Sequence, residues 1–221
     1  IQTKMRDDLI EAEKLKQQLS LNLLQQQVNP HFLYNTLDNI CALAELDEKE
    51  TLIQLVMNLS SFYRSSLSNG KMHISIGQEL EISRAYLEIL QIRYFHKFDF
   101  TITCPEALKN YSCIKLLLQP ILENSIYHGI KGLDRHGILH IEAEDAGDCI
   151  RFTISDNVRG FSKEDYEKIW QQDADHFGIK SIQQRILLYY GPGYGLSMES
   201  PQTGGCITVI TLPKQEGLPC H

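Results

Sequence analysis

The sequence holds no apolar run of the roughly 18 residues that a membrane-spanning helix needs. It shows no signal peptide: no short apolar core stands between a basic start and a small-residue cleavage site. It has no surplus of positive charge. Lys and Arg number 21 against 28 Asp and Glu, a formal net charge of −7, and a nucleic-acid binder would carry the opposite balance. The same sign disfavours an acidic partner as the main business. No Cys-x-x-Cys occurs. Cys41, Cys104, Cys113, Cys149, Cys206 and Cys220 have no histidine at zinc-ligand spacing. They read as free thiols in a reducing compartment, with Cys149 and Cys206 on strands. The chain also lacks an initial Met. It opens on Ile1 inside a charged helical pattern, which reads as a piece cut from something longer.

What is present is apolar periodicity. Hydrophobic residues make up 43%, enough to build a packed core, and 221 residues allow one large domain or two small ones. Met5, Leu9, Ala12, Leu15, Leu19 and Leu23 recur at three and four, an amphipathic helix suited to a partner helix. Leu33, Leu37, Ile40 and Ala44 continue as the next stripe. After ELDEKE a second helix, about 50–67, turns Leu52, Leu55, Val56, Leu59 and Phe62 inward. The two make a helical hairpin that buries little alone and is expected to pair with its copy. Ser75 with Gln78 and Glu79 reads as a capping box, opening a third helix over about 76–95. From residue 97 the period becomes two. FDFTITC, GILHIEAED, CIRFTISD, GLSMES and GCITVITL read as strands, with a hairpin turn at Gly147-Asp148. KLLLQPILENSIYHGI, KEDYEKIW and GIKSIQQRILLYY read as helices. This order predicts an α+β fold with helices on one face of a mixed sheet.

Four motifs carry chemistry. In QQQVNPHFLYNTLDNI, Asn29 and Pro30 fit a cap and first position of a restarted helix, or a kink if the helix runs through. His31 lies ~200° from Leu33 around the helix axis, so it points away from the stripe, with Asn35 and Asp38 on its own face. A neutral imidazole is a nucleophile; a surface histidine without a role is the plain alternative. In LLLQPILENSIYHGI, Glu123 and Asn124 interrupt an apolar helix, with His128 one turn on. An amide oxygen suits Mg²⁺, and an amide satisfied within the core is the alternative. In ISDNVRGF, Asp156 ends a core strand and can accept from an exocyclic amine, while D-N before Gly160 is equally turn chemistry. In HFGIKSIQQRI, Gly178 opens a helix whose N–H groups suit phosphate, or marks an ordinary loop-to-helix junction.

The order of these motifs resembles the sensor histidine kinases of the LytS/YesM-like type. VNPHFLYNTL is similar to that family's phosphoacceptor box, LQPILENSIYHG to its N box, DNVRGF and FGIKSIQQRI to its two glycine boxes, and GGCITVITLP to the terminal strand. The resemblance spans residues 16–213. It implies a signal helix or coiled-coil linker (1–27), dimerisation and phosphotransfer helices (28–96), a Bergerat-type α/β sandwich that binds ATP and Mg²⁺ (97–216), and a tail (217–221). It implies that His31 takes the γ-phosphoryl group and passes it to an aspartate of a response regulator. Asn35 would position water for dephosphorylating the regulator. Asn124 would hold Mg²⁺, His128 would lie near ribose or phosphates, Asp156 would read adenine, and Gly160 and Gly178 would let backbone approach the nucleotide. A lid, 162–177, would close over it. Phe32 follows the histidine where many two-component kinases carry an acid, so Glu123 is the candidate base. The implied setting is a homodimer, the cytoplasmic portion of a sensor whose membrane segment lies upstream in the parent. This portion itself would touch neither membrane nor nucleic acid.

The chain departs from the family pattern at Val158 and His176, where glycines are usual, and at Tyr127, where a lysine is usual. These departures motivate a rival reading, a dimeric interaction module with a degenerate nucleotide pocket. A related ATPase that makes no phosphohistidine is a third.

Overall fold

The computed structural model describes residues 30–66, 72–130, 135–158, 160–162, 164, 166–167, 177–201 and 204–216. The expected signal helix over 1–27 and most of the expected helix and lid over 162–177 lie outside them. The chain forms two compact units, Ile1–Lys49 and Glu50–His221.

In the first unit, α1 runs Pro30–Glu45. Pro30 stands at its first position, where a missing N–H costs nothing. Thr36 Oγ1 donates to the Phe32 carbonyl at 2.7 Å, and both residues are buried. The anticipated stripe behaves differently. Leu37 is 44% exposed, Ala44 is exposed, and Leu33 and Ile40 are half-buried. Apolar residues occupy two faces of α1, and periodicity alone selected the face that a single chain leaves open.

The second unit begins within α2 (Lys49–Ser66). Leu55 and Phe62 are buried as expected, whereas Val56 is exposed and Leu52 and Leu59 are half-buried. Strand β1 (His73–Ser75) runs directly into α3 (Ile76–Arg93). The Ser75 hydroxyl accepts the Gln78 N–H and the Gln78 side chain accepts the Ser75 N–H, both at 3.1 Å. This reciprocal cap is worth about 1 kcal/mol. Ile76, Leu80, Tyr86, Leu87 and Leu90 are buried along α3, each contributing on the order of 1.5–3 kcal/mol. The helix ends in a tight turn where Phe95 and His96 take φ of 51° and 52°.

Strands β2 (Phe98–Thr103), β4 (Gly137–Asp145), β5 (Cys149–Asp156), β6 (Gly195–Glu199) and β7 (Cys206–Pro213) form one sheet, with β3 (Ser112–Ile114) pairing only with β1. The sheet order is β2-β4-β5-β7-β6. The β2–β4 pair is parallel and the others antiparallel. β4 alternates buried Leu139, Ile141 and Ala143 with exposed Ile138, His140 and Glu142, so one face carries the core. Two helices complete the unit. α4 covers Gln119–Asn124 and continues as a π-helical turn, Ser125–Gly129. α5 covers Phe177–Tyr190 and buries Ile179, Ile182 and Ile186.

The α+β expectation holds. Two details differ. The helix expected from Lys115 starts at Gln119, because Leu116 takes a left-handed φ of 55° that no helix accommodates. The β1–β3 ladder was not foreseen, since three-residue strands are too short to show a period.

Candidate functional site

His31 is exposed one residue into α1. The Asn35 amide nitrogen lies 3.1 Å from both Nδ1 and Nε2 of the imidazole, so the residue one turn later sits against the ring. A neutral ring offers one lone pair to such a donor. Asp38 is exposed on the same helix.

The remaining candidates lie in the second unit. Asp156 ends β5 opposite Cys206 of β7. Its Oδ1 accepts the N–H of Val158 at 3.2 Å and of Cys206 at 3.0 Å, and the Ser125 hydroxyl on α4 also bonds it. Burial raises its pKa above the ordinary 3.8, against the pull of those donors. The neighbouring Cys206 thiol, buried beside that carboxylate, is pushed up to about 12, so it stays protonated and inert.

Asn157 extends the strand by its side chain. Oδ1 accepts the Ile138 N–H at 2.8 Å, and Nδ2 donates to the His136 carbonyl at 3.1 Å. The amide thus imitates another ladder rung and ties β4's entry to the Asp156 turn. Val158 follows, buried at 4% exposure and absent from the residues with positive φ. A valine therefore meets no backbone strain here. Its methyls fill the space over Gly129, where an added Cβ would come within 2.7 Å of them. At Gly160 an added Cβ would strike the Ser200 hydroxyl and stand 2.9 Å from the Gly205 carbonyl. Ser200 occupies that space and donates to the Gly205 carbonyl at 3.0 Å.

Glu123 and Asn124 close α4. Glu123 Oε1 accepts from the Tyr86 hydroxyl at 3.2 Å and from Gln119 Nε2 at 3.0 Å. Asn124 is half-buried, and its amide bonds no other described side chain. His128 sits in the π-helical turn; its side chain lies outside the described part. Gly178 is exposed in the first turn of α5, with Pro120 Cβ 3.3 Å from where its own Cβ would be. The starts of α4 and α5 are therefore neighbours. His176 lies outside the described residues.

Two residues outside the candidate site residues fix the start of α4. Glu79 on α3 is fully buried; its oxygens accept the N–H groups of Leu116 at 2.8 Å and Leu118 at 2.9 Å. Burial pushes this carboxyl up, while those N–H groups and the Arg185 charge pull it down. Arg185 on α5, also buried, donates to the Leu116 carbonyl at 3.1 Å and to the Lys115 carbonyl. The Tyr190 hydroxyl accepts the Ile114 N–H at 2.8 Å. The left-handed turn before α4 is thus clasped by α3 and α5. The signal existed in sequence: each charge falls on the apolar period of its helix, beside Leu80 and Ile186.

A separate hollow of about 400 Å³ is lined by Phe161, Ser162, Tyr166, Glu167, Met198 and Ser200. None of the candidate residues lines it.

The second unit thus places Asp156 at the end of a core strand, Asn124 at the end of α4 and an exposed glycine in the first turn of α5. The histidine kinase family model matches residues 19–98. The sensor histidine kinase YesM of Bacillus subtilis is 31% identical over 95% of this chain and 36% of its own length. BtsS of Escherichia coli is 33% identical over 82% of this chain and 31% of its own. The catalytic domain of histidine kinase ThkA superposes with a TM-score of 0.51 at 15% identity, covering 65% of this chain and 97% of that one. ThkA solved in complex with the response regulator TrrA gives 0.51 at 14% identity over 93% of this chain and 64% of that one. The chain is similar to the histidine kinases of the LytS/YesM-like type, and spans about a third of the length of the curated relatives it matches.

Proposed function

We propose that the chain is the kinase portion of a two-component sensor, which transfers the γ-phosphoryl group of ATP to His31 and then to an aspartate of a response regulator. The observation that carries this is the exposed imidazole of His31 with the Asn35 amide beside it, in a chain whose second unit presents the Asp156 constellation. In autophosphorylation the lone pair of His31 forms the N–P bond as the bond to ADP's oxygen breaks. The ring's N–H proton is lost to solvent or to a base. Glu123 is the candidate base, and its carboxylate already accepts from Tyr86 and Gln119.

Phosphoryl transfer needs positioning and charge neutralisation more than covalent help, and the residues present fit ATP. Asp156 has one oxygen fixed by two backbone N–H groups, which orients the carboxylate toward an amine donor. The N–H groups at the start of α5 would meet phosphate, with Gly178 exposed there and Gly160 leaving room for the Ser200 hydroxyl. His128 would be the residue near ribose or phosphates. Among the described residues no cluster of three or more His, Cys, Asp or Glu could cage a metal. Mg²⁺ needs none, since it binds through one or two protein oxygens and substrate phosphates. Asn124 would be that ligand, and Mg²⁺ would neutralise charge on the phosphates.

Leu37 on α1, and Ile53, Val56 and Met57 on α2, are exposed apolar residues that support a homodimer. Among the described residues no helix is long and apolar enough to cross a membrane; a sensor segment upstream belongs to the longer parent. The interaction-module alternative rested partly on Val158, which carries no backbone strain.

The test is incubation with γ-labelled ATP and Mg²⁺. Acid-labile, base-stable label on the wild type, absent in His31→Ala, is the expected result. Absence of label while ATP binds would refute kinase activity for this chain, and label persisting in His31→Ala would remove His31 from the role.

A further inference from the structure

We infer that Arg93 of α3 supplies the cation that meets the nucleotide's phosphates. This rests on the nucleotide-site reading above and adds a residue to it.

The starting point is Tyr127 on the π-helical extension of α4, one turn beyond Glu123 and, like it, bonded to α3. A phenol carries no charge there. The charge comes from the neighbouring helix. Arg93 Nη1 donates to the Tyr127 hydroxyl at 3.1 Å. Its guanidinium carbon lies 5.9 Å from the Tyr127 ring centre and 5.4 Å from that of Tyr94. Two aromatic faces thus hold the planar group, and among the described residues most of its five N–H donors remain unused.

Arg93 is half-buried, and among the described residues no carboxylate lies within ion-pair distance of it. Several other cations of the unit are engaged differently. Lys109 pairs with Glu106, Arg151 with Glu144, and Lys214 with Asp145. Arg185 is spent on backbone carbonyls. Among the described residues Arg93 is a preorganised cation without a counter-charge, beside the helix that carries Asn124.

The placement is set by helix packing. On α3, Tyr86 and Arg93 are two turns apart; on α4, their partners Glu123 and Tyr127 are one turn apart. Contacts advance in the same direction on both helices, so α3 runs alongside α4 and delivers Arg93 beside its C-terminal end. The guanidinium geometry suits two phosphate oxygens at once. The ligand chemistry is therefore a polyphosphate, and the contribution grows with the number of phosphates.

Nucleotide affinity of the full chain, measured calorimetrically for ATP and adenosine, tests this. In Arg93→Gln, ATP affinity should fall roughly tenfold or more, the loss of a charge-assisted contact, while adenosine affinity and melting temperature stay near wild type. Adding Tyr127→Lys should restore ATP affinity, since it returns a positive charge to the same place. Unchanged ATP affinity in Arg93→Gln, an equal loss for both ligands, or no rescue by Tyr127→Lys would overturn the assignment. Wild type that binds neither ligand would instead remove the nucleotide-site reading beneath it.

Discussion

Glu79 accepts the backbone N–H of Leu118 at 2.9 Å from 39 residues away in sequence, and through this bond α3 dictates where α4 begins. The companion bond to Leu116 stabilises a left-handed residue that would otherwise cost roughly 1–2 kcal/mol. Glu79→Ala orphans two N–H groups under the core. It should lower stability by roughly 2–5 kcal/mol, read as a shift in the urea midpoint at unchanged slope.

Asp156 carries opposite demands of stability and binding. Burial raises its pKa above the aspartate value of 3.8, so the folded chain holds this proton more tightly than the unfolded one. Its contribution to stability is present below the unfolded pKa and is lost as pH rises through the folded one. Asp156→Asn, neutral at every pH, should be at least as stable as wild type at pH 7. The same variant should lose roughly 10- to 100-fold in ATP affinity, as expected for a missing charged acceptor. In wild type, ATP affinity should decline on acidification at a higher pH than an ordinary aspartate would set. Calorimetry and thermal melts across pH separate the two effects.

Val158 and Gly129 share one space. Val158→Gly should cost about 2–4 kcal/mol, through lost burial and a looser unfolded chain. Gly129→Ala should be destabilising in the wild type and much milder beside Val158→Gly. A double-mutant cycle by chemical denaturation measures this coupling, and additive losses would contradict the packing.

Asn35 touches the His31 ring without supplying the nucleophile. In the proposed cycle, Asn35→Ala should keep labelling of His31 within a few-fold of wild type. It should slow dephosphorylation of the phosphorylated regulator about tenfold, within the range of an aligned water or general-base contact. Equal losses in both steps would show that Asn35 serves only to orient the ring.

Much of this architecture was readable in advance because the elements announce their periods. β4 and β5 alternate cleanly, and the Ser75–Gln78 box marks the first turn of α3. Reading failed where the determinant was remote or too short. Leu116 turns left-handed because Glu79 and Arg185 clasp its neighbours, and no local pattern around Leu116 encodes that. On α1 the sequence leaves open which apolar face a single chain buries, because Phe32 and Leu33 are adjacent apolar residues on different sides and only Phe32 is buried. The candidate residues were found by motif, but the reasons they sit where they do are tertiary. Asn157 works as a ladder rung, Ser200 fills the space beside Gly160, and Arg93 reaches Tyr127 from another helix.

The turn after α3 has a consequence for its last residues. Phe95, 84% exposed, and His96 adopt consecutive left-handed conformations, which non-glycine residues accept at roughly 1–2 kcal/mol each. The Tyr94 and His96 N–H groups still bond back to Leu90 and Gln91. The helix is stopped like a bolt against its nut. It can neither gain a residue nor unwind one without releasing that torsion, so the angular setting of Arg93 is indexed by the turn that follows it.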